Sequence, residues 1–195
     1  MRRPFARRHW RGQSLVEFTM IVPIIMTLAL SIAEFGVAFG TNMTMIEATR
    51  EGARVGAVLV DGSDSLGLPG CSGPSSVDPQ IIAAVQRVIE SPGSGMTLAN
   101  VDYIHIFKAT AGGGESLVNT WTPGAGGTVC GVSLHFAQGG IGWPASSRTN
   151  VLPVESIGVS IQYRYQMFTP LSSLTGLFGT RQITMVDSTV MALEP

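Results

Sequence analysis

The sequence predicts an α+β protein, in which a long N-terminal transmembrane helix extends into a small extracytoplasmic head with an antiparallel sheet. Three observations predict this fold. An uncharged apolar run covers residues 18–33, and after one acidic residue a second uncharged run covers 35–46. Apolar and polar residues alternate in several later segments, which is typical of half-buried strands. Charged residues make up only 13% of the chain, against about 25% in an average globular domain.

Residues 1–12 form a basic leader, because five arginines precede Gly12 and all 13 acidic residues follow it. Positive charge before the apolar run, with none soon after it, predicts a cytoplasmic N-terminus and an extracytoplasmic remainder. The net charge of −1 gives no basic footprint for nucleic acid, and it hides this asymmetry. Without the leader, 12 basic residues become 7, and against 13 acidic residues the side-chain balance is −6.

Residues 13–58 are predicted to form one helix, of which the first half spans the membrane and the second half extends beyond it. At 1.5 Å per residue, the stretch from Leu15 to Phe39 is about 36 Å long, and a hydrocarbon core is about 30 Å thick. Glu34 should therefore lie near the outer boundary of the bilayer. Pro23 lies inside the span and removes one backbone donor, so we expect a kink or a weakened turn there.

The second half of the predicted helix carries opposite charges and small side chains. Two pairs of oppositely charged residues have the i,i+3 spacing that favours ion pairs on a helix surface. They are Glu47 with Arg50 and Glu51 with Arg54. Such a face is either solvated or, as the small residues favour, a contact surface for a partner helix. These small residues are Ala48, Gly52, Ala53, Gly56 and Ala57.

One carboxylate stands at the start of the apolar run. Glu17 follows Gly12 by five residues and precedes Phe18. A charged side chain costs roughly 2.5–3.5 kcal/mol at the middle of a bilayer and less near the interface, and inside membrane segments such residues usually mark function. The glycine, the acid and the apolar helix together therefore indicate a processing and assembly signal.

Residues 10–58 resemble the TadE-like family, whose members are pseudopilins of the tight-adherence (Flp-type) branch of the type IV pilus system. The resemblance is continuous over this segment. It is carried by RGQSLVEF at 11–18, by Pro23, by EFG at 34–36 and by ATREGAR at 48–54. It implies a pilin-like fold, in which the long helix leads into the α+β head.

The resemblance also implies roles for four residues at the start of the helix. Gly12 would be the last residue of the leader, and a membrane-embedded prepilin peptidase would cut before Gln13. Glu17, the fifth residue of the mature chain, would pair with the N-terminal ammonium of a neighbouring subunit, since an unpaired carboxylate in lipid is costly. Phe18 matches the aromatic residue that follows this glutamate in the family.

The function that the resemblance implies is that of a minor pilin-like structural subunit, anchored by a single pass in the bacterial cytoplasmic (inner) membrane. Its expected partners are the prepilin peptidase, other pilin and pseudopilin subunits, the inner-membrane assembly platform and the lipid bilayer, with no nucleic acid. The alternative is an unprocessed membrane-anchored binding module, whose head recognises an extracytoplasmic ligand.

The sequence offers no constellation for catalysis and no cofactor or metal site. It contains no GxSxG, HExxH or paired-acid arrangement on a recognisable scaffold. His105 and His135 lie within strand patterns without a nearby cysteine or acid at ligand spacing, which is typical of structural histidines. We therefore expect a protein that is not an enzyme and that holds no cofactor.

The head, residues 59–195, begins with a connector rich in Gly, Ser and Pro over 62–76. A short helix should follow, capped by Asp78 with Pro79 in its first turn and ended at 91–93. Its predicted apolar face consists of Ile81, Ile82, Val85, Val88 and Ile89.

Four strands are predicted in the rest of the head, and one face of their sheet should bury against a helix. They cover 101–108, 129–136, 157–167 and 182–192. An apolar stripe between the last two strands should pack on the sheet, or else face a partner subunit or the bilayer. It consists of Leu171, Leu174, Leu177 and Phe178.

Cys71 and Cys130 leave two possibilities open, because they are far apart in sequence and lack the spacing of a zinc site. In an exported domain such a pair favours one disulfide. Two free thiols are the other possibility.

Overall fold

The computed structural model describes residues 11–62, 71–169 and 182–194, with side chains from Ser14 onward. It contains a long helix, a second helix and a five-stranded antiparallel sheet, so the predicted α+β fold is confirmed. Three predicted features lie wholly or partly outside the described residues. They are residues 1–10 of the leader, residues 63–70 of the predicted connector, and the stripe of Leu171, Leu174, Leu177 and Phe178.

The chain divides into two compact units. The first combines the N-terminal stretch up to Gly36 with the segment that starts at Met167. The second combines Val37–Gln166 with the segment from Gln182 onward, and it contains the sheet.

The first helix, α1, runs without interruption over Arg11–Leu59, and these 49 residues confirm the predicted long helix. It continues through Pro23, where the sequence predicts a kink or a weakened turn. The hydroxyl of Thr27, one turn later, donates to the Pro23 carbonyl oxygen at 2.8 Å. Thr19 and Ser31 likewise donate to carbonyl oxygens one turn back. These hydroxyls are therefore satisfied within the helix, as an apolar surrounding requires.

The second helix, α2, covers Pro74–Ile89, and the prediction that Asp78 caps its start was wrong. The helix begins earlier because proline suits a first helical position and because Gly73 adopts a φ of 97°, which glycine tolerates. Asp78 instead lies inside the helix and is buried. Four residues of the predicted apolar face are buried and one, Val88, is half-buried. The buried ones are Ile81, Ile82, Val85 and Ile89.

Seven strands are described: β1 Val101–Ala109, β2 Glu115–Pro123, β3 Thr128–Val129, β4 Val132–Ser133, β5 Phe136–Ile141, β6 Ser156–Gln166 and β7 Gln182–Ala192. Five of them form one antiparallel sheet in the order β5-β2-β1-β6-β7. The strands β3 and β4 form a separate hairpin. The predicted strands at 101–108, 157–167 and 182–192 correspond to β1, β6 and β7 and are confirmed.

The predicted strand at 129–136 was wrong, because the chain reverses direction inside it. Cys130 and Gly131 have φ values of 53° and 79°, and two successive left-handed residues are typical of a tight hairpin turn. The strand β2 was not predicted. Its register places Asn119 opposite the buried Ile106, so a polar residue occupies a core position and interrupts the apolar alternation.

Asn119 belongs to a buried polar network that joins α2 to the sheet. Its Nδ2 donates to Oδ2 of Asp78 at 2.6 Å and to the Trp143 carbonyl oxygen at 2.7 Å. Nη2 of Arg148 donates to Oδ1 of Asp78 at 2.5 Å, and this guanidinium lies 4.7 Å from the centre of the Trp143 ring. Because both charges are buried, losing one partner alone would cost about 3–5 kcal/mol.

The second half of α1 packs its small residues against α2 and β6. A Cβ atom on Gly52 would lie 2.7 Å from Cγ2 of Val85, and one on Gly56 would lie 2.7 Å from Cδ1 of Ile157. The other small residues of this face are at most 3% exposed: Ala48, Ala53 and Ala57. The helix that this face contacts is therefore one of the chain's own.

The charged residues on the same half of α1 behave differently from one another. Arg54 and Glu51 form the predicted ion pair, with Nη2 and Oε1 2.7 Å apart. No ion pair joins Glu47 to Arg50 in the described part of the chain, and both side chains are exposed. The first pair stays partly in solvent, so it contributes only a few tenths of a kcal/mol.

The structure joins Cys71 and Cys130 in a disulfide, with their Cα atoms 5.5 Å apart. The bond ties the segment directly before α2 to the turn between β3 and β4. The two cysteines are 59 residues apart, and closing a loop of this length restricts the unfolded chain strongly.

Gly52→Leu should destabilise the head by about 1–3 kcal/mol, because the new side chain overpacks the contact of α1 with α2 and β6. Gly40→Leu is the matched control, since its Cβ position on the same helix has no atom within 4 Å. Urea unfolding in detergent, followed by tryptophan fluorescence, compares the two variants. Equal unfolding midpoints would contradict the close packing at Gly52.

Replacing both cysteines by serine should lower the free energy of unfolding by about 2–4 kcal/mol, because the loop between them is no longer closed. The wild-type chain should migrate faster on a non-reducing gel than on a reducing one. If mobility does not change and both thiols react with a maleimide, Cys71 and Cys130 are free.

Candidate membrane-assembly site

The first half of α1 exposes apolar side chains on every side of the helix. All residues from 14 to 21 are exposed, and the exposed fraction reaches 73% at Ile32. No residue of the most apolar stretch is buried, which distinguishes it from the core helix of a water-soluble domain. Among the described residues one helix, Ser14–Leu59, is long and apolar enough to cross a membrane. So large an apolar surface needs lipid or other apolar helices around it.

Glu17 lies within this exposed stretch of α1. Its neighbours Leu15, Val16 and Phe18 are 66%, 55% and 68% exposed, and Glu17 is exposed as well. The carboxylate therefore stands in a surface that is accessible to a neighbouring helix. A partner with positive charge would be favoured at this place, because apolar surroundings strengthen the attraction between opposite charges.

The candidate cleavage site lies at the N-terminal end of α1, which begins at Arg11. Gly12 and Gln13 belong to the helix, but the structure describes only their backbone, so their roles remain predictions. Glu17 follows Gln13 by four residues, which corresponds to a rise of about 6 Å along the helix. A new N-terminus at Gln13 would therefore carry its ammonium about one turn away from the level of the carboxylate.

A second acid of α1, Glu34, makes contacts that sequence reasoning did not predict. Its side chain is buried, and its Oε2 accepts a hydrogen bond from the backbone N–H of Thr169 at 2.9 Å. Its Oε1 accepts from the backbone N–H of Phe168 at 3.2 Å. Phe168 and Thr169 follow Glu34 by 134 and 135 positions in the sequence. No local spacing in the sequence therefore predicts these contacts.

The two histidines of the head make contacts that are typical of structural residues. Nδ1 of His105 lies 2.9 Å from Oε2 of Glu115, and its ring stacks on Tyr103 with the centroids 4.0 Å apart. Burial raises the pKa of Tyr103, and nearby acidic side chains raise it further. Nδ1 of His135 lies 3.0 Å from Oε1 of Glu90. Within the described ranges, no group of three or more potential ligands is placed to hold a metal ion.

Comparison with known protein families finds a likeness for most of the long helix. Residues 12–54 match the family model described as TadE-like protein. This segment, less than a quarter of the chain, is similar to the TadE-like family. The match begins at the candidate cleavage glycine and ends at the last residue of ATREGAR, so the predicted resemblance is confirmed. No curated protein and no solved structure matches the chain.

The TadE-like segment supports involvement in a tight-adherence pilus system, and the exposed apolar helix supports anchoring in a membrane. The family is structural rather than enzymatic. The last part of the TadE-like segment, however, packs within the head. Oγ1 of Thr49 donates to Oδ2 of Asp187 at 2.6 Å, which ties this part of the segment to β7.

Proposed function

We propose that this chain is a minor pilin-like subunit, a pseudopilin, that serves the assembly of a tight-adherence type IV pilus. The observation that carries the proposal is the match over 12–54, which runs from the candidate cleavage site through Glu17 into the packed half of α1. The role is structural: a prepilin peptidase acts on this chain, and the chain itself catalyses nothing.

Maturation removes the leader by a cut between Gly12 and Gln13. The arginines of the leader hold the N-terminus on the cytoplasmic side of the inner membrane, and the head then lies on the opposite side. The cut takes away the charges of five arginines and creates a new ammonium at Gln13. The new terminus is an α-amino group, which can carry the positive charge that a carboxylate needs as a partner.

Assembly then brings the exposed half of α1 against the helices of other pilin and pseudopilin subunits. The new ammonium of one subunit pairs with the Glu17 carboxylate of a neighbour. The pair is worth most where water is scarce, because the low local dielectric strengthens it and because each charge alone would be costly to desolvate. Phe18, which is 68% exposed, adds apolar contact beside the pair.

Glu17→Gln should leave insertion into the membrane intact and impair pilus assembly, because the amide keeps the shape of the side chain but lacks its charge. A charged hydrogen-bonded contact is worth about 1.5–3 kcal/mol, so the cross-linking of this subunit to its neighbours should fall about tenfold or more. Carbonate extraction measures insertion, chemical cross-linking followed by a blot for this subunit measures its contact with neighbours, and the amount of sheared pili measures assembly.

Glu47→Gln is the matched control, because it removes an exposed carboxylate from the same helix beyond the apolar stretch. Pili should form normally with this variant. Normal pili with Glu17→Gln as well would show that Glu17 does not pair with a neighbour.

A further inference from the structure

Glu34 is buried, although the residues next to it on α1 are exposed. Its exposed fraction is 8%, whereas Ile32 and Phe35 are 73% and 71% exposed. Thr169, whose backbone N–H donates to Glu34, is only 3% exposed and follows the end of β6 by three positions. The start of the connector after β6, at Phe168 and Thr169, therefore contacts α1 at this point.

The contact is built from two adjacent backbone donors and one carboxylate. Oε1 and Oε2 of Glu34 accept the N–H groups of Phe168 and Thr169 at 3.2 and 2.9 Å. Hydrogen bonds to an ionised acceptor are roughly twice as strong as those between neutral groups. The connector is outside the strands here, so its backbone donors are held by this side chain instead of a neighbouring strand.

Length places this contact at the edge of the bilayer. The helix rises about 30 Å over the 20 residues from Ser14 to Glu34, which equals the thickness of a typical hydrocarbon core. A span that starts at Ser14 therefore ends at Glu34, on the side of the head. A carboxylate is expensive inside the bilayer, and at this boundary two N–H donors offset the loss of its water.

Phe168 extends the apolar surface of the helix at the same level. Its side chain is 61% exposed although its backbone is fixed to Glu34. Phe35, next to Glu34 on α1, is 71% exposed. An aromatic ring at the boundary of the hydrocarbon buries apolar surface that water would otherwise surround.

We propose that Glu34 clamps the connector after β6 onto the membrane helix at its head-side boundary, so that Phe168 contacts lipid as a second membrane contact of the chain. The inference rests on the membrane placement of α1 in the proposed function. It does not require processing or pilus assembly.

Photo-cross-linking in vesicles tests the clamp. The full chain carries benzoylphenylalanine in place of Phe168 and is reconstituted in phosphatidylethanolamine–phosphatidylglycerol vesicles. Two control chains carry the same label elsewhere. In one it replaces Ile25, inside the span, and in the other it replaces Leu152, a head residue that is 87% exposed. After illumination, intact mass spectrometry measures the fraction of chains that carry a phospholipid. The labels at positions 168 and 25 should form lipid adducts, and the label at 152 should not.

The role of Glu34 is tested in the chain labelled at position 168. Glu34→Leu removes both acceptors, so the lipid adduct at 168 should fall about tenfold, as expected for the loss of charged hydrogen bonds. Glu34→Gln, which keeps one acceptor, should give an intermediate loss. Glu47→Gln should change nothing, and the adduct at position 25 should persist in every variant.

Each failure has a distinct meaning. If position 25 forms adducts and position 168 does not, the second lipid contact is wrong while the membrane placement of α1 stands. If position 168 forms adducts equally with Glu34→Leu, lipid contact exists but Glu34 does not hold it, and the clamp is wrong. If position 25 also fails, both the clamp and the membrane placement are wrong.

Discussion

The close approach of α1 to α2 and β6 at Gly52 and Gly56 is the constraint on which the head depends. A larger side chain at either position would meet Val85 or Ile157, because a Cβ atom alone would lie 2.7 Å from each. The side chains around both glycines are closely packed, and closely packed protein interiors tolerate little added volume. The same helix is apolar and exposed over its first half. One continuous helix therefore offers an apolar surface for the membrane and a small-residue surface for the core of the head.

Polar contacts fix how the other elements meet that core. Asp78 of α2 is held by Arg148 and by Asn119 of β2, so three segments that are distant in sequence share one buried carboxylate. Thr49 similarly links α1 to β7 through Asp187. Buried polar groups are costly unless they are paired, so the contacts that pair Asp78 with Arg148 and Asn119 disfavour other arrangements of the same elements.

The elements that local patterns control were predicted well: hydrophobicity marks α1, and strict alternation marks β6. The roles of Gly12 and Glu17, which follow from the TadE-like motif, stay predictions. The failures follow from tertiary contacts. Asp78 has the residue type of a helix cap, but it forms a buried ion pair with Arg148. Asn119 is a polar residue at a core position of β2, so the alternation that would have predicted this strand is interrupted. The contact of Glu34 with Thr169 joins two distant segments, so no periodicity in the sequence reveals it.

N-terminal sequencing of the chain purified from membranes tests the central claim, that this protein with its TadE-like segment is a processed pseudopilin, most directly. The proposed function predicts that the wild-type chain starts at Gln13. Gly12→Leu should block the cut because of its bulk and leave the chain starting at Met1. An intact Met1 in the wild type would contradict processing and favour a membrane-anchored binding module, and a start near Glu34 would indicate ordinary signal cleavage.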